Sequence, residues 1–291
     1  MLTIESCEAS ALTEDQRERY QALTELLPTM GSVVIGFSGG GDSTVLAKAA
    51  HDTLGDRALA VIGASEAFPQ GEVDAALEVA SQIGIETVCV PTHELNDPAF
   101  RVNRTDRCYH CKRELFSVLR RVADERALKW VADGSNADDL GDFRPGMQAA
   151  AELNVRSPLR EVGMTKADVR ALARALSLSN WDRPSFACLS SRFPYGTEIT
   201  HELLARVDAC ERFLRALGFR QFRVRHHDTV CRIEVLPEDF LRLLDQREAV
   251  LAAFRANGYT YVTLDIEGFR SGKMNDVIRF SGSASRSANG S

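Results

Sequence analysis

The stretch Val33-Val34-Ile35-Gly36-Phe37-Ser38-Gly39-Gly40-Gly41-Asp42-Ser43 joins a continuous apolar run to a Ser-Gly-Gly-Gly turn, and a helical pattern follows over residues 42–54. An apolar run of this length beside a glycine turn reads as a buried strand, so the local prediction is strand, tight loop, helix. Upstream, Thr13 and Gln16 have the spacing of a capping box ahead of a helix over residues 14–27, with Leu23, Leu26 and Leu27 at helical intervals. Downstream come a strand over residues 58–62, a helix over 71–83, a strand over 86–90, a helix over 111–127 and a strand over 128–132. Alternation of this kind predicts an α/β fold with a parallel sheet and helices on both faces. A further capped amphipathic helix is expected over residues 165–176.

The rhythm changes after the proline-flanked, aromatic-rich stretch 182–196. A helix over 200–217 leads into alternating segments 221–226 and 230–236, a hairpin pattern separated by His227, Asp228 and Thr229. A helix over 237–257 and a strand over 259–264 complete a smaller α+β unit. The expected organisation is an N-terminal helix within 1–30, an α/β domain over 31–182, a cysteine-bearing segment over 183–199, a C-terminal α+β domain over 200–280 and a low-complexity, disordered tail over 281–291.

Composition narrows the partners. The 291 residues carry 41 acidic and 35 basic side chains, a net charge of −6, with 44% hydrophobic and 26% charged residues. That is an ordinary globular composition with no cationic excess for wrapping nucleic acid. No stretch approaches the roughly 18 apolar residues of a membrane span, and the N-terminus lacks the basic and apolar regions of a signal peptide, so a cytoplasmic location is expected. Seven cysteines are an odd number that cannot all pair within the chain. In a reducing compartment, clustered cysteines are more often metal ligands or reactive thiols than disulfides.

Glycines between a buried strand and a helix let backbone N–H groups approach an anion, and the helix dipole favours negative charge there. The loop is therefore a candidate phosphate site, with a plain strand-to-helix connection as the alternative. It lacks the lysine of the G-x-x-x-x-G-K-[ST] loop and the spacing of G-x-G-x-x-G. Ser38-Gly39-Gly40-Gly41-Asp42-Ser43 resembles the SGGxDS PP-loop of the N-type ATP pyrophosphatases, the superfamily of GMP, NAD and argininosuccinate synthetases and several thiolation enzymes. The resemblance implies an adenine-nucleotide α-hydrolase-like, Rossmann-like fold that cleaves ATP between its α and β phosphates. It implies ATP binding by Ser38, Gly39, Gly40, Asp42, Ser43 and Gly134, adenine contact by Gly63, Ala64 and Ser65, and Mg²⁺ placed by Asp42.

The remaining motifs narrow the likeness. Asp133-Gly134-Ser135-Asn136-Ala137-Asp138-Asp139 with Arg144-Pro145-Gly146, then Arg156-Ser157-Pro158-Leu159, Lys166-Ala167-Asp168-Val169-Arg170 and Pro184-Ser185-Phe186-Ala187-Cys188-Leu189-Ser190-Ser191-Arg192 resemble the LarE family of ATP-dependent sulfur transferases over about residues 15–280. Members convert pyridinium-3,5-biscarboxylic acid mononucleotide to its bis-thiocarboxylate on the way to the nickel-pincer nucleotide cofactor. The resemblance implies a small-molecule mononucleotide substrate and a homo-oligomer.

The cysteines divide by position. Cys89 in an apolar strand, Cys210 on a helical stripe with Val207, Leu214 and Leu217, and Cys231 in phase with Ile233 and Val235 read as packing residues. Cys7 carries no signal. Cys108 and Cys111 form a C-x-x-C at a helix start, with Arg107, Lys112 and Arg113 beside them, a setting that favours thiolate. No second pair completes a zinc ribbon. Cys188 stands in an irregular polar segment near Arg192, which is a candidate substrate-binding residue.

The family match places Cys188 as the sulfur-bearing, catalytic residue. In the sacrificial type one cysteine forms a thioester and becomes dehydroalanine. Other members are similar to thiolation enzymes in which three thiolates hold a four-iron four-sulfur cluster, and Cys108, Cys111 and Cys188 would supply such a set, leaving one iron open for hydrosulfide. The three-cysteine, cluster-dependent type is the expectation, with the sacrificial type as its alternative.

In the hairpin, alternation sends Arg223 and Arg225 to one face and Phe222, Val224 and His226 to the other. Two guanidinium forks on one face suit a phosphate monoester, and the family associates this pair with phosphate; a solvated strand face is the alternative. Glu211 and Glu234 match acidic positions of the family without a defined role. Three rival functions stand beside sulfur transfer: a tRNA thiolase, disfavoured by the acidic net charge, a GMP- or NAD-synthetase-like ligase, which leaves the three cysteines unexplained, and a non-catalytic nucleotide- or metal-binding module.

Overall fold

A computed structural model describes residues 12–69, 71–141, 145–182, 188–270 and 272–276. Cys7, Arg144, the Pro184-Ser185-Phe186-Ala187 part of the cysteine segment and the tail 281–291 lie outside the described residues. The chain divides into two compact units, Met1–Phe186 and Ala187–Ser291.

In the first unit, the apolar run of the glycine loop becomes strand β1 (Val33–Gly36), and its residues divide by the two-residue strand period. Val33 and Ile35 join one buried cluster, with α1 (Glu14–Met30), α2 (Gly41–Leu54), α3 (Glu72–Ile83), α7 (Pro158–Glu161) and α8 (Lys166–Ala175). Val34 joins the other, with α5 (Arg107–Glu125) and α6 (Pro145–Glu152). Because both faces of β1 are covered, its residues are apolar without interruption.

Strands β2 (Ala58–Ala64), β3 (Glu86–Pro91) and β4 (Trp130–Ala132) complete a four-stranded sheet in the order β3-β2-β1-β4, with each pairing parallel. The α/β expectation holds. The order also sets the site: the chain leaves β1 toward β2, then returns from β3 to pair β4 on the opposite side of β1. The carboxyl ends of β1 and β4 thus flank a switch point, where ligands of such sheets bind.

Local caps agree with the sequence. Thr13 and Gln16 form the capping box of α1, and Thr165 with Asp168 forms that of α8. Three expectations differ from the structure. The cysteine helix α5 starts at Arg107 rather than Cys111, so Cys108 and Cys111 both lie within its first turn and a half; a short helix, α4 (Pro98–Arg101), precedes it. Cys89 is exposed rather than a packing residue, because β3 is the edge of the sheet and pairs only with β2.

The third concerns the C-terminal helix, which is two helices, α10 (Phe240–Asp245) and α11 (Arg247–Ala256), meeting at Gln246 with φ −95° and ψ 11°.

The second unit carries α9 (His201–Ala216), capped by Thr200, and a three-stranded sheet. Its strands β5 (Phe222–His227) and β6 (Val230–Val235) form the expected antiparallel hairpin, turning at Asp228 with φ 53°, and β7 (Tyr261–Leu264) runs parallel to β6. Cys210 and Cys231 are fully buried here, and desolvation pushes both thiols up to about 12, which matches their reading as packing residues. No helix among the described residues is long and apolar enough to cross a membrane.

Candidate functional site

The loop after β1 is held open by small side chains. Ser43 Oγ donates to the Gly40 carbonyl at 3.0 Å and accepts from the Ser38 N–H at 3.3 Å, while Gly40 N–H donates to Ser38 Oγ at 3.3 Å. Gly39 turns the chain at φ +67°, and a Cβ there would lie 2.8 Å from the Ala76 Cα of α3. Only glycine satisfies both the dihedral and the approach. The 14-residue helix α2 begins at Gly41, so its first-turn N–H groups, with no intrahelical partner by geometry, and its dipole face the loop. This is an anion-binding arrangement.

Across the switch point, the loop after β4 is packed against it. A Cβ on Gly134 would meet Ser43 N at 2.9 Å, so glycine is what allows the two backbones to touch. Asp133 is buried and fixes its own loop, accepting from Ser135 Oγ and from Ser157 Oγ, each at 2.7 Å. Asn136, also buried, donates through Nδ2 to Asp42 Oδ1 at 3.1 Å, and Lys166 Nζ forms an ion pair with Asp42 Oδ2. The structure thus gathers Ser38, Gly39, Gly40, Asp42, Ser43 and Gly134 at one place and adds two residues that sequence reasoning assigned no role, Asn136 and Lys166.

At the end of β2, the Ala64 carbonyl accepts from Thr92 N–H at 3.1 Å, and Ser65 Oγ accepts from Ala67 N–H at 2.9 Å. Ser65 also hydrogen-bonds the carboxylate of Glu94, a buried acid that no local pattern in the sequence marks. The C-x-x-C lies elsewhere in this unit. Cys108 is exposed and Cys111 half-buried, and Arg107 reaches back to Cys108 Sγ at 3.9 Å while donating to Asn103 Oδ1 at 2.5 Å. His110, inside the motif, pairs with Asp97 at 3.3 Å. Among the described residues, no group of three or more His, Cys, Asp or Glu side chains is gathered as metal ligands.

In the second unit, half-buried Cys188 begins a single 3-10 turn, Leu189–Arg192. Its carbonyl accepts from Ser191 Oγ at 2.8 Å and from Arg192 Nη1 at 3.0 Å. Arg192 is buried and forms a two-pronged ion pair with Glu211 of α9, at 2.8 and 2.9 Å. The same carboxylate accepts Val224 N–H of β5 at 2.9 Å, tying helix to sheet. Arg225 repeats the device, gripping Glu234 of β6 at 3.0 and 2.9 Å and donating to the Ser191 carbonyl at 2.7 Å. Paired forks of this kind are geometrically specific, and the loss of one partner leaves a charge buried and unpaired.

Arg223 is buried between these pairs, donating to the Phe222 carbonyl at 2.6 Å with its guanidinium 4.9 Å from the centre of the Phe269 ring. Burial, then the like charges of Arg192 and Arg225, bring its pKa down to about 10 against the opposing pull of Glu211 and Glu234. The solvated strand face considered from the sequence is therefore not what forms: Arg223 and Arg225 lie in a buried ionic lattice. Arg192 joins the same lattice, and the roles left open for Glu211 and Glu234 are those of its counter-charges.

A glycine loop between the central strand and helix of a parallel sheet, met across the switch point by an acid- and amide-rich loop, defines a PP-loop nucleotide-binding domain of the NAD synthase kind. Residues 18–109 match the NAD synthase family. A glutamine-hydrolyzing GMP synthase of Chlamydia caviae is 25% identical over 62% of this chain and 37% of its own length. Two further relatives match over nearly the whole chain. An uncharacterized protein of Synechocystis is 42% identical over 89% of this chain and 98% of its own. Pyridinium-3,5-bisthiocarboxylic acid mononucleotide synthase of Lactiplantibacillus plantarum is 41% identical over 88% of this chain and 93% of its own. The chain belongs to the family of that synthase, the LarE family, and is an ATP-dependent enzyme.

Proposed function

We propose that this chain is an ATP-dependent sulfur transferase that converts pyridinium-3,5-biscarboxylic acid mononucleotide to its bis-thiocarboxylate in nickel-pincer cofactor synthesis. The observation that carries the reading is the lattice that holds the Cys188 turn, where Arg192 and Arg225 donate to the Cys188 and Ser191 carbonyls and Arg223 is buried with them. Guanidinium charge concentrated in this way suits a substrate phosphate, with Arg223 and Arg225 its receivers and Arg192 holding the Cys188 backbone.

In this reading Ser38, Gly39, Gly40, Asp42, Ser43 and Gly134 hold the phosphates of ATP, and Ala64 and Ser65 border its adenine. A substrate carboxylate oxygen attacks the α-phosphorus, the bond to the bridging oxygen breaks, and pyrophosphate departs with the electron pair. Adenylation is needed because oxide is a poor leaving group and AMP a good one. The loop N–H groups stabilise the departing charge. Asp42 offers the hard oxygen donor that Mg²⁺ prefers, and the ion, when bound, neutralises pyrophosphate charge.

The Cys188 thiolate then attacks the acyl carbon, AMP leaves, and a thioester forms. Loss of the Cys188 Cα proton to a base, with cleavage of the Cβ–S bond, leaves sulfur on the substrate as a thiocarboxylate and dehydroalanine at position 188. In the cluster-dependent type, Cys108, Cys111 and Cys188 would hold a four-iron four-sulfur cluster, which would leave one iron open to supply hydrosulfide. The steps above are those of the sacrificial type.

Two measurements test the reading. ATP–pyrophosphate exchange should depend on the pyridinium mononucleotide, and the protein after turnover should lack the elements of H₂S at Cys188. Exchange that requires tRNA, or that amidates a carboxylate instead, would replace it with a thiolase or synthetase. Iron and acid-labile sulfide in active, anaerobically purified protein, with Cys188 intact after turnover, would assign the cluster-dependent type. The family resemblance also supports a homo-oligomer in the cytoplasm, and light scattering reads the assembly directly.

A further inference from the structure

Asn180 is buried and lies outside every motif that marks the ATP site, 136 residues beyond Thr44 in sequence, yet its side chain reaches the glycine loop. Its Nδ2 donates to the Gly39 carbonyl at 2.8 Å and to Thr44 Oγ1 at 2.9 Å. A carbonyl can only accept, so the amide must present its nitrogen to Gly39 and its oxygen away. That oxygen, Oδ1, is itself buried without a hydrogen-bond partner among the described residues. An orphaned buried acceptor destabilises a fold, so a side chain serving packing alone would do better without the amide.

What the amide does at Gly39 is directional. Gly39 sits at φ +67°, the turn on which the loop's shape depends, and its peptide could face either way about that turn. With the Gly39 carbonyl drawn inward by Asn180, the N–H of Gly40 on the same peptide plane points to the opposite side, where it donates to Ser38 Oγ at 3.3 Å, since the two groups of a planar trans peptide are antiparallel. Thr44, bound by the second amide proton, lies in the first turn of α2. One side chain thus fixes the loop to its helix.

We propose that Asn180 is a positioning residue for the reaction: it fixes the Gly39–Gly40 peptide, and through the Gly40 N–H the Ser38 hydroxyl, in the loop shape that receives pyrophosphate. This rests on reading the loop as the pyrophosphate site, and the experiment separates the two claims. Binding of Mg-pyrophosphate and of AMP is measured by calorimetry for the full-length protein and for Asn180→Leu, which keeps the branched shape and removes both donors. The expected result is pyrophosphate binding weakened about tenfold, with AMP binding changed less than about twofold.

Asn180→Asp supplies a second arm that does not depend on tolerating leucine. An ionised carboxylate would repel the Gly39 carbonyl, whereas a protonated one can donate to it. Burial at this position and the facing carbonyl raise the carboxyl's pKa, so its pyrophosphate affinity relative to the unsubstituted protein should recover as pH is lowered from 8 to 5. Equal affinities at all pH values, or parallel loss of pyrophosphate and AMP binding, would overturn the proposal. If the unsubstituted protein fails to bind pyrophosphate at all, the reading of the loop falls, and the role of Asn180 with it.

Discussion

The two candidate sites are built from opposite materials. The loop after β1 uses backbone, glycine and hydroxyl groups, and its ion pair, Asp42–Lys166, is partly exposed. The Cys188 turn is held by buried ion pairs, with Arg192 and Glu211 both essentially inaccessible to solvent. A loop made from main-chain donors can receive a polyanion with little side-chain rearrangement. A lattice of buried charges is rigid only while every partner is present, because each charge removed strands another in low dielectric. The first site should therefore fail through backbone geometry and the second through charge balance.

The largest expected effect separates chemistry from both scaffolds. Cys188→Ala should abolish sulfur transfer while leaving substrate-dependent ATP–pyrophosphate exchange within about threefold, since adenylation precedes the thiol's role. A collapse of exchange as well would place Cys188 in the nucleotide step.

Next comes the lattice. Arg192→Ala should destabilise the second unit by about 3–5 kcal/mol by leaving Glu211 buried and unpaired. The double change Arg192→Met with Glu211→Leu should recover much of that loss in a urea titration without recovering sulfur transfer. Recovery of transfer would show that the pair only supports the fold.

The loop makes the contrasting case. Gly39→Ala should cost about 1–3 kcal/mol through strain at positive φ and a clash with Ala76, and should weaken ATP binding. Gly31→Ala is the control: it shares a positive φ, +80°, but a Cβ there would meet nothing within 4 Å, so thermal stability should fall less and ATP binding should hold. Equal losses of ATP binding at the two positions would mean that the close approach at Gly39 is unimportant.

The smallest expected effect is a titration. His226 is buried against Phe193 and Tyr259, with its Nδ1 3.1 Å from the tyrosine hydroxyl. Desolvation and then Arg206 hold its pKa below 6.5, despite Asp228, and desolvation lowers His227 likewise. The unfolded chain therefore takes up these protons first as pH falls, so stability present above about pH 6.5 is lost on acidification toward the lower folded values. Thermal unfolding followed from pH 7.5 to 5.5 should show this decline, and His226→Gln should flatten it.

How far each region could be read beforehand follows the same division. Residues 33–43 disclosed strand, turn and helix because hydrophobic period and glycine placement act within a few residues. The hairpin was equally legible from the alternation on either side of Asp228. Cys89 misled, because an apolar strand looks alike at the edge and the centre of a sheet, and only pairing order separates them. Arg223 and Arg225 were placed on a common face correctly, yet nothing nearby in sequence distinguishes water from Glu211 and Glu234 as their surroundings. Asn180 and Glu94 carried no signal, since each acts on a residue far away in the chain.

Sequence alone therefore determined the α/β class, the glycine loop, the capping boxes and the three cysteines of interest, all set by local conformational preference or by residue chemistry. Tertiary structure decided which strand was central, which charges were buried and what holds Gly39 and Cys188 in place. Those depend on contacts between residues distant in the chain, where burial changes the energy of a charge or an amide by more than any local preference does.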